Sequence, residues 1–200
     1  MPKVSQVELV RGALAGRVVS FPTDTVPALA ALPENAALIF VAKKRSQDKP
    51  LILMGASEED LWPYVMGTPE EFVIWQQVVD RCWPGALTLV LPASERVPTA
   101  MNPTDPTTIG IRVPDSSIAR AILAQTGPLA TTSANFSGEP PLETMSAIEN
   151  AFPDVLTLDC AELNDKKQGS GLPSTVAKWT RKEWQILRQG SVQILDLEEL

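Results

Sequence analysis

Residues 108–133, TIGIRVPDSSIARAILAQTGPLATTS, decide the fold. Thr108 to Val113 is an apolar run of strand length, Ser116 opens a helix to about Gln125, Gly127-Pro128 ends it, and Leu129 to Ser133 is a second strand. Strand, helix and strand in that order predict a helix packed over a sheet. Arg112 interrupts the first strand. A charge inside a sheet needs a partner or a ligand, unless it faces solvent on an amphipathic strand.

Outward from this unit the alternation continues. Ser5 and Glu8 form a capping-box pattern ahead of a helix over about 6–15, with Val7, Val10 and Leu14 at helical spacing and Gly16 as its stop. Val18 to Phe21 is a short strand, and Pro22-Thr23-Asp24-Thr25 is loop. Glu34 to Lys44 reads as an Ala-rich helix with Leu38 and Val41 on one face. Leu51 to Met54 is a strand, and Ser57 to Val65 a short helix disturbed by Pro63. Thr68, Pro69 and Glu71 cap a helix to about Arg81, which Trp83-Pro84-Gly85 closes. Leu87 to Leu91 is a strand, residues 92–107 are loop, and Thr144 to Ala151 is a helix. Val155 to Leu158, Ser174 to Trp179 and Trp184 to Leu187 complete a β-rich tail, the last two paired around 180–183. Asn164 to Pro173, with Gly169-Ser170-Gly171, reads as a mobile loop. The expected class is α/β with a mixed sheet, in one domain over 1–200.

Composition narrows the function. The chain has 200 residues, 44% hydrophobic and 20% charged, and no histidine. Ser-His-Asp and Cys-His catalysis and imidazole metal centres are thereby excluded. Cys82 and Cys160 are far apart and form no C-x-x-C pair, so neither a disulfide frame nor a structural metal is expected, and both read as buried thiols. A net charge of −7 and a pI near 4.7 argue against blanket phosphate binding, although a local basic groove is compatible with them. No apolar stretch reaches membrane-spanning length and the N-terminal stretch lacks a basic-then-apolar pattern, which predicts a cytoplasmic protein without membrane contact. Glycine-rich phosphate loops of the P-loop and dinucleotide-fold kinds are absent, so any nucleotide must be held by scattered side chains. The tryptophans show no stacking-platform pattern and are expected in packing contacts.

Three segments carry candidate chemistry. Lys43, Lys44, Arg45 and Lys49 put four cations within seven residues of an acidic chain. On spacing alone, solvated cations complementing a helix C-terminus are the favoured reading, and a polyphosphate site held by the Arg fork and Lys charges is the alternative. Thr131-Thr132-Ser133-Ala134-Asn135-Phe136-Ser137-Gly138 sets hydroxyls and an amide at the carboxyl end of a strand, where ligands of open α/β sheets bind; a self-bonded turn explains it equally well. Pro22-Thr23-Asp24-Thr25 follows a strand in the same way.

Taken in order, these segments resemble a family. Phe21-Pro22-Thr23-Asp24-Thr25-Val26, Lys43-x-Arg45 with Lys49-Pro50-Leu51, Trp83-Pro84-Gly85 before Leu87-Thr88, Ile111-Arg112-Val113-Pro114, Ser133-Ala134-Asn135-x-Ser137-Gly138, and Ser174-Thr175-Val176 before Leu187-Arg188-x-Gly190 are similar to the YrdC (TsaC) family in its short, single-domain form. The resemblance implies a twisted mixed sheet flanked by helices around a large concave cavity. It also implies synthesis of threonylcarbamoyl-AMP and pyrophosphate from L-threonine, bicarbonate and ATP, the nucleotide bringing Mg2+ with it, for t6A modification of tRNA at position 37. By motif, Thr25, Arg112, Thr131 and Ser174 would hold threonine, with Arg112 on its carboxylate. Lys43, Arg45, Ser133, Asn135 and Arg188 would hold ATP, with Lys49 and Thr108 as further contacts and Lys43 and Arg45 as the catalytic pair; no resident metal is implied. A diverged relative that binds a nucleotide or double-stranded RNA without synthase activity is the alternative, and tRNA and other tRNA-modification proteins are the macromolecular partners in view. The chain departs from the pattern at Pro27-Ala28-Leu29-Ala30, where the family usually has Tyr-Gly-Leu-Gly, so the wall beside Thr25 must be shaped differently. It also departs at Ser46, often Pro, and at Pro140-Pro141, where the family has a serine.

Overall fold

A computed structural model describes residues 3–44, 46, 49–160 and 166–193. In chain order the elements are α1 (Gln6–Leu14), β1 (Val19–Phe21), β2 (Ala28–Ala31), α2 (Ala36–Lys43), β3 (Ile52–Met54), α3 (Pro69–Cys82) and β4 (Leu87–Pro92). They continue with β5 (Thr108–Arg112), α4 (Ser117–Thr126), β6 (Leu129–Ser133), α5 (Met145–Ala151), β7 (Leu156–Thr157), β8 (Thr175–Trp179) and β9 (Trp184–Arg188). Among the described residues the strands form one nine-stranded sheet in the order β7-β1-β2-β6-β3-β5-β4-β8-β9. It is mixed: β1/β7, β3/β5 and β4/β8 are parallel and the other neighbours antiparallel. The class is therefore α/β, a mixed sheet flanked by helices. No helix among the described residues is long and apolar enough to cross a membrane.

Caps start the helices where the sequence places them. Ser5 and Thr68 each accept from the backbone of a glutamate three residues on, and Glu8 and Glu71 reach back to the cap backbone, which satisfies two otherwise orphaned donors at each start. The buried faces are another matter. Val7 and Leu14 of α1 are 57% and 53% exposed, and Leu38 and Val41 of α2 are 42% and 75% exposed. The core instead takes Leu9, Val10 and Ala13 from α1 and Ala36, Ile39 and Phe40 from α2. Both helices carry apolar residues on more than one side, and at Gly12 of α1 the Leu156 side chain of β7 occupies the space that a Cβ would take.

Two elements differ from expectation. Ala28–Ala31 is a fully buried strand between β1 and β6, although alanine has low strand propensity. Pairing on both edges, with β1 on one side and β6 on the other, overrides the propensity. Residues 57–65 form turns ending in a short 3-10 helix, Trp62–Tyr64, rather than an α-helix, since Pro63 supplies no N–H for an α-helical bond. Trp75, Trp83 and Trp179 are buried, and Trp62 packs against both Phe72 and Trp83. Cys82 and Cys160 form no disulfide among the described residues and are half-buried, where the sequence suggested buried thiols.

Candidate functional site

Strand register brings the candidate residues onto one face of the sheet. Ala28 lies opposite Ser133, Thr131 opposite Ile52, and Met54 opposite Arg112. Directly paired residues share a face, so these six side chains floor a common surface. Above it is a pocket of about 320 Å3, walled by Thr23 and Thr25 on one side, Asn135, Glu139 and Pro141 on another, and Pro173, Ser174 and Arg188 at the edge. The departure at residues 27–30 is now explained: Ala28 is a short floor residue of a strand, in a conformation that needs no glycine.

Arg112 anchors one end. It is 3% exposed, with Nε donating to the Gly85 carbonyl at 2.9 Å, Nη1 to Thr25 Oγ1 at 2.9 Å and Nη2 to Asp24 Oδ1 at 2.6 Å. Three fixed acceptors on three different nitrogens set the plane of the guanidinium. Burial lowers the Arg112 pKa, Asp24 opposes that shift, and Arg188 adds to it. Arg188, at the end of β9, folds its guanidinium back onto Ser174, with Nε and Nη2 donating to the Ser174 carbonyl at 3.1 and 2.8 Å. Ser174 Oγ in turn lies 2.9 Å from Thr88 Oγ1.

The other end is the turn after β6. Lys43 is 1% exposed and donates from Nζ to the Ser133 carbonyl and, at 3.0 Å, to Asn135 Oδ1. Asn135 Oδ1 also accepts from Ser133 Oγ at 2.6 Å, and Asn135 Nδ2 donates to the carbonyls of Phe136 and Glu139 at 2.8 and 2.6 Å. Lys43 is thus a buried strut beneath the turn rather than one of the solvated cations favoured on spacing, and it does not line the pocket. Lys44 ends α2 in the left-handed conformation and lies over the Phe136 ring.

A strap crosses the pocket wall. Ser170 N and Gly171 N donate to the carbonyls of Asp24 and Thr25 at 2.9 Å each, and Gln168 N donates to the Glu143 carbonyl at 2.8 Å. Gly169 has φ +71°, and a Cβ there would stand 2.3 Å from the Thr25 carbonyl oxygen. Residues 166–173 are therefore fastened to the loop that carries Thr25, where the sequence suggested mobility; residues 164 and 165 lie outside the described residues.

Of the sequence candidates, the pocket gathers Thr25, Arg112, Thr131, Ser133, Asn135, Ser174 and Arg188. Lys43 acts from beneath, and Lys49 is an exposed neighbour of Pro50, which lines the pocket. Thr108 is elsewhere on the sheet, in an adjoining hollow that shares Pro50, where its hydroxyl bonds Asp105 and Asn102. Arg45 lies outside the described residues. Sequence reading missed Asp24, the Gly85 carbonyl, Met54 and Glu139 as parts of the site. Asp24 and Gly85 stand inside motifs quoted for the resemblance; Met54 carried no signal beyond strand apolarity. Among the described residues no group of three Cys, Asp or Glu side chains is placed to hold a metal ion.

The family model for Sua5, YciO and YrdC proteins, described as telomere recombination, matches residues 13–190. The chain belongs to the Sua5/YciO/YrdC family. Within that family, threonylcarbamoyl-AMP synthase of Pyrococcus abyssi is 36% identical over 190 residues, covering 92% of this chain and 54% of its own length. Its counterpart from Vibrio campbellii is 32% identical over 190 residues, covering 92% of this chain and 97% of its own. The chain thus spans about half the first relative and nearly all of the second. Among solved structures of the Sua5/YciO/YrdC family, P. abyssi Sua5 complexed with L-threonine superposes with a TM-score of 0.81 at 31% identity, over 99% of this chain and 58% of that one. E. coli YciO, at 22% identity, shares the fold with a TM-score of 0.79 over 98% of this chain and 96% of its own.

Proposed function

We propose that the chain makes threonylcarbamoyl-AMP and pyrophosphate from L-threonine, bicarbonate and ATP, in the cytoplasm, as a step in t6A modification of tRNA. One observation carries the reading: a buried guanidinium, Arg112, held on the Gly85 carbonyl, the Thr25 hydroxyl and Asp24, lines one pocket with Thr131, Ser133, Asn135 and Ser174. The 36% identity to a synthase supports it. Threonine sits at the Arg112 end with its carboxylate on the guanidinium and Thr25, Thr131 and Ser174 around it, a bidentate geometry that a lysine would not supply. ATP, arriving as its Mg2+ complex, lies toward Ser133 and Asn135, with Arg188 at the phosphates and Arg45, Lys49 and Thr108 along the approach. Lys43 contributes through the turn that it props.

The threonine amine first attacks the bicarbonate carbon, the C–N bond forms, and the C–O bond to the hydroxyl breaks so that water leaves with an amine proton, giving the carbamate. A carbamate oxygen then attacks the α-phosphorus, the bond to the bridging oxygen breaks, and its electron pair leaves with pyrophosphate. The displacement at phosphorus requires no protein acid or base, so a site of guanidinium groups and hydroxyls without histidine suffices, through positioning and charge neutralisation. The alternative, a relative that binds nucleotide or RNA without forming the adenylate, is the weaker reading, because relatives aligned over 92% of the chain bear the synthase name. Pyrophosphate release from ATP and bicarbonate should depend on added L-threonine. Folded protein that releases pyrophosphate at the same rate with and without threonine contradicts the assignment.

A further inference from the structure

Ser174 and Thr25 line the same pocket as Arg112, and hydrogen-bond balance fixes where each hydroxyl proton points. A hydroxyl offers one proton and two lone pairs. Thr23 Oγ1 donates its proton to the Val26 carbonyl at 2.7 Å, so it accepts in its 3.1 Å contact with Thr25 Oγ1. Thr25 therefore donates to Thr23, accepts from Arg112 Nη1, and keeps one lone pair for a ligand.

The Ser174 side has the opposite polarity. Arg188 Nη2, which can only donate, reaches Ser174 Oγ at 3.2 Å. Thr88 Oγ1 lies 2.9 Å from the same oxygen, and Thr88 is fully buried. Among the described residues Ser174 is the one hydrogen-bond partner of the Thr88 hydroxyl. Were Ser174 the donor, the Thr88 proton would be buried without an acceptor, at the full desolvation cost of that group. Thr88 as donor fills the second lone pair of Ser174 and leaves the Ser174 proton free for the pocket that Ser174 lines.

We propose that Thr88, which does not itself line the pocket, is a positioning residue whose buried hydroxyl makes Ser174 a dedicated donor to an oxyanion of the amino-acid ligand, while Thr25 serves as a dedicated acceptor. The assignment rests on the amino-acid reading of the pocket. Its motif neighbours, Trp83-Pro84-Gly85 and Leu87, gave Thr88 no role by themselves; the buried pair with Ser174 does.

Equilibrium titration of the whole protein with L-threonine, and separately with ATP, tests it. Thr88→Val keeps the shape and removes the hydroxyl, so threonine affinity should fall about tenfold, as loss of one oriented bond to a charged group requires, with ATP affinity unchanged. Thr88→Ser should restore threonine binding to within about twofold, and Thr88→Ala should reproduce the selective loss, so that a folding defect in one variant does not decide the outcome. In a Ser174→Ala background Thr88→Val should cost nothing more, because the effect passes through Ser174. Equal losses for both ligands, or an undiminished further loss on top of Ser174→Ala, overturn the proposal. Unaltered threonine binding by Thr88→Val overturns it as well. Wild-type protein that does not bind threonine overturns the amino-acid reading itself, a different result from any of these.

Discussion

Lys43 has the most revised role among the candidate residues. A cation at a helix C-terminus reads as solvated, yet this one is buried and spent on Ser133 and Asn135. Removing it takes one of two donors from each of two oxygens, since the Ser133 carbonyl keeps Asn135 N and Asn135 Oδ1 keeps Ser133 Oγ, so Lys43→Met should cost about 1–2 kcal/mol of stability in a denaturant titration. It should also weaken ATP binding through the turn; unchanged stability would return Lys43 to the surface role. The family resemblance, carried over motif by motif, named Thr25, Arg112, Ser133, Asn135, Ser174 and Arg188 as ligand contacts, and all six line the pocket; local reading alone left each segment with an ordinary turn, cap or solvated-face explanation or with no role. Thr88 and Asp24 were in view without roles, since their partners, Ser174 and Arg112, are 86 and 88 residues away in the chain.

Among the elements, strands with β-branched runs and helices with capping boxes were legible: α3 runs from Pro69 to Cys82 behind Thr68, as its signals dictate. Thr68→Ala should lower stability by about 1 kcal/mol in thermal or chemical unfolding. The cap also gives a pH dependence. Backbone and side-chain donors from Thr68 and Trp179 hold the Glu71 carboxyl below its ordinary pKa. Its contribution is therefore present above the ordinary carboxylate range and fades as pH falls through the depressed folded value. Glu71→Gln should flatten that acid limb; an unchanged limb would show that other carboxylates set it. What was hidden was β2, an alanine-rich strand whose burial depends on its partners on both edges, and the inner faces of α1 and α2, where apolar residues on more than one side left the local pattern ambiguous. The strap was hidden for a related reason, since Gly169-Ser170-Gly171 reads as freedom locally while its backbone is tied to Asp24 and Thr25. Gly169→Ala forces a Cβ against the Thr25 carbonyl and a side chain into φ +71°, so it should raise the KM for threonine more than that for ATP. Equal effects on both would detach the strap from the threonine end.

For the whole molecule, a single sheet floors the pocket with residues from β2, β6, β3 and β5, and the loops and turns that wall it spring from the ends of those strands and their neighbours, so strand register sets how the pocket residues stand to one another. That suits a reaction in which two bound substrates must meet at one phosphorus without help from a protein base. In a chain of net charge −7, Arg112 and Arg188 are cations that line the pocket. The most direct measurement is mass spectrometry of the nucleotide formed from ATP, L-threonine and 13C-bicarbonate. The account predicts threonylcarbamoyl-AMP heavier by one mass unit than the product made with ordinary bicarbonate; AMP or ADP alone, with no label in any adenylate, would contradict it.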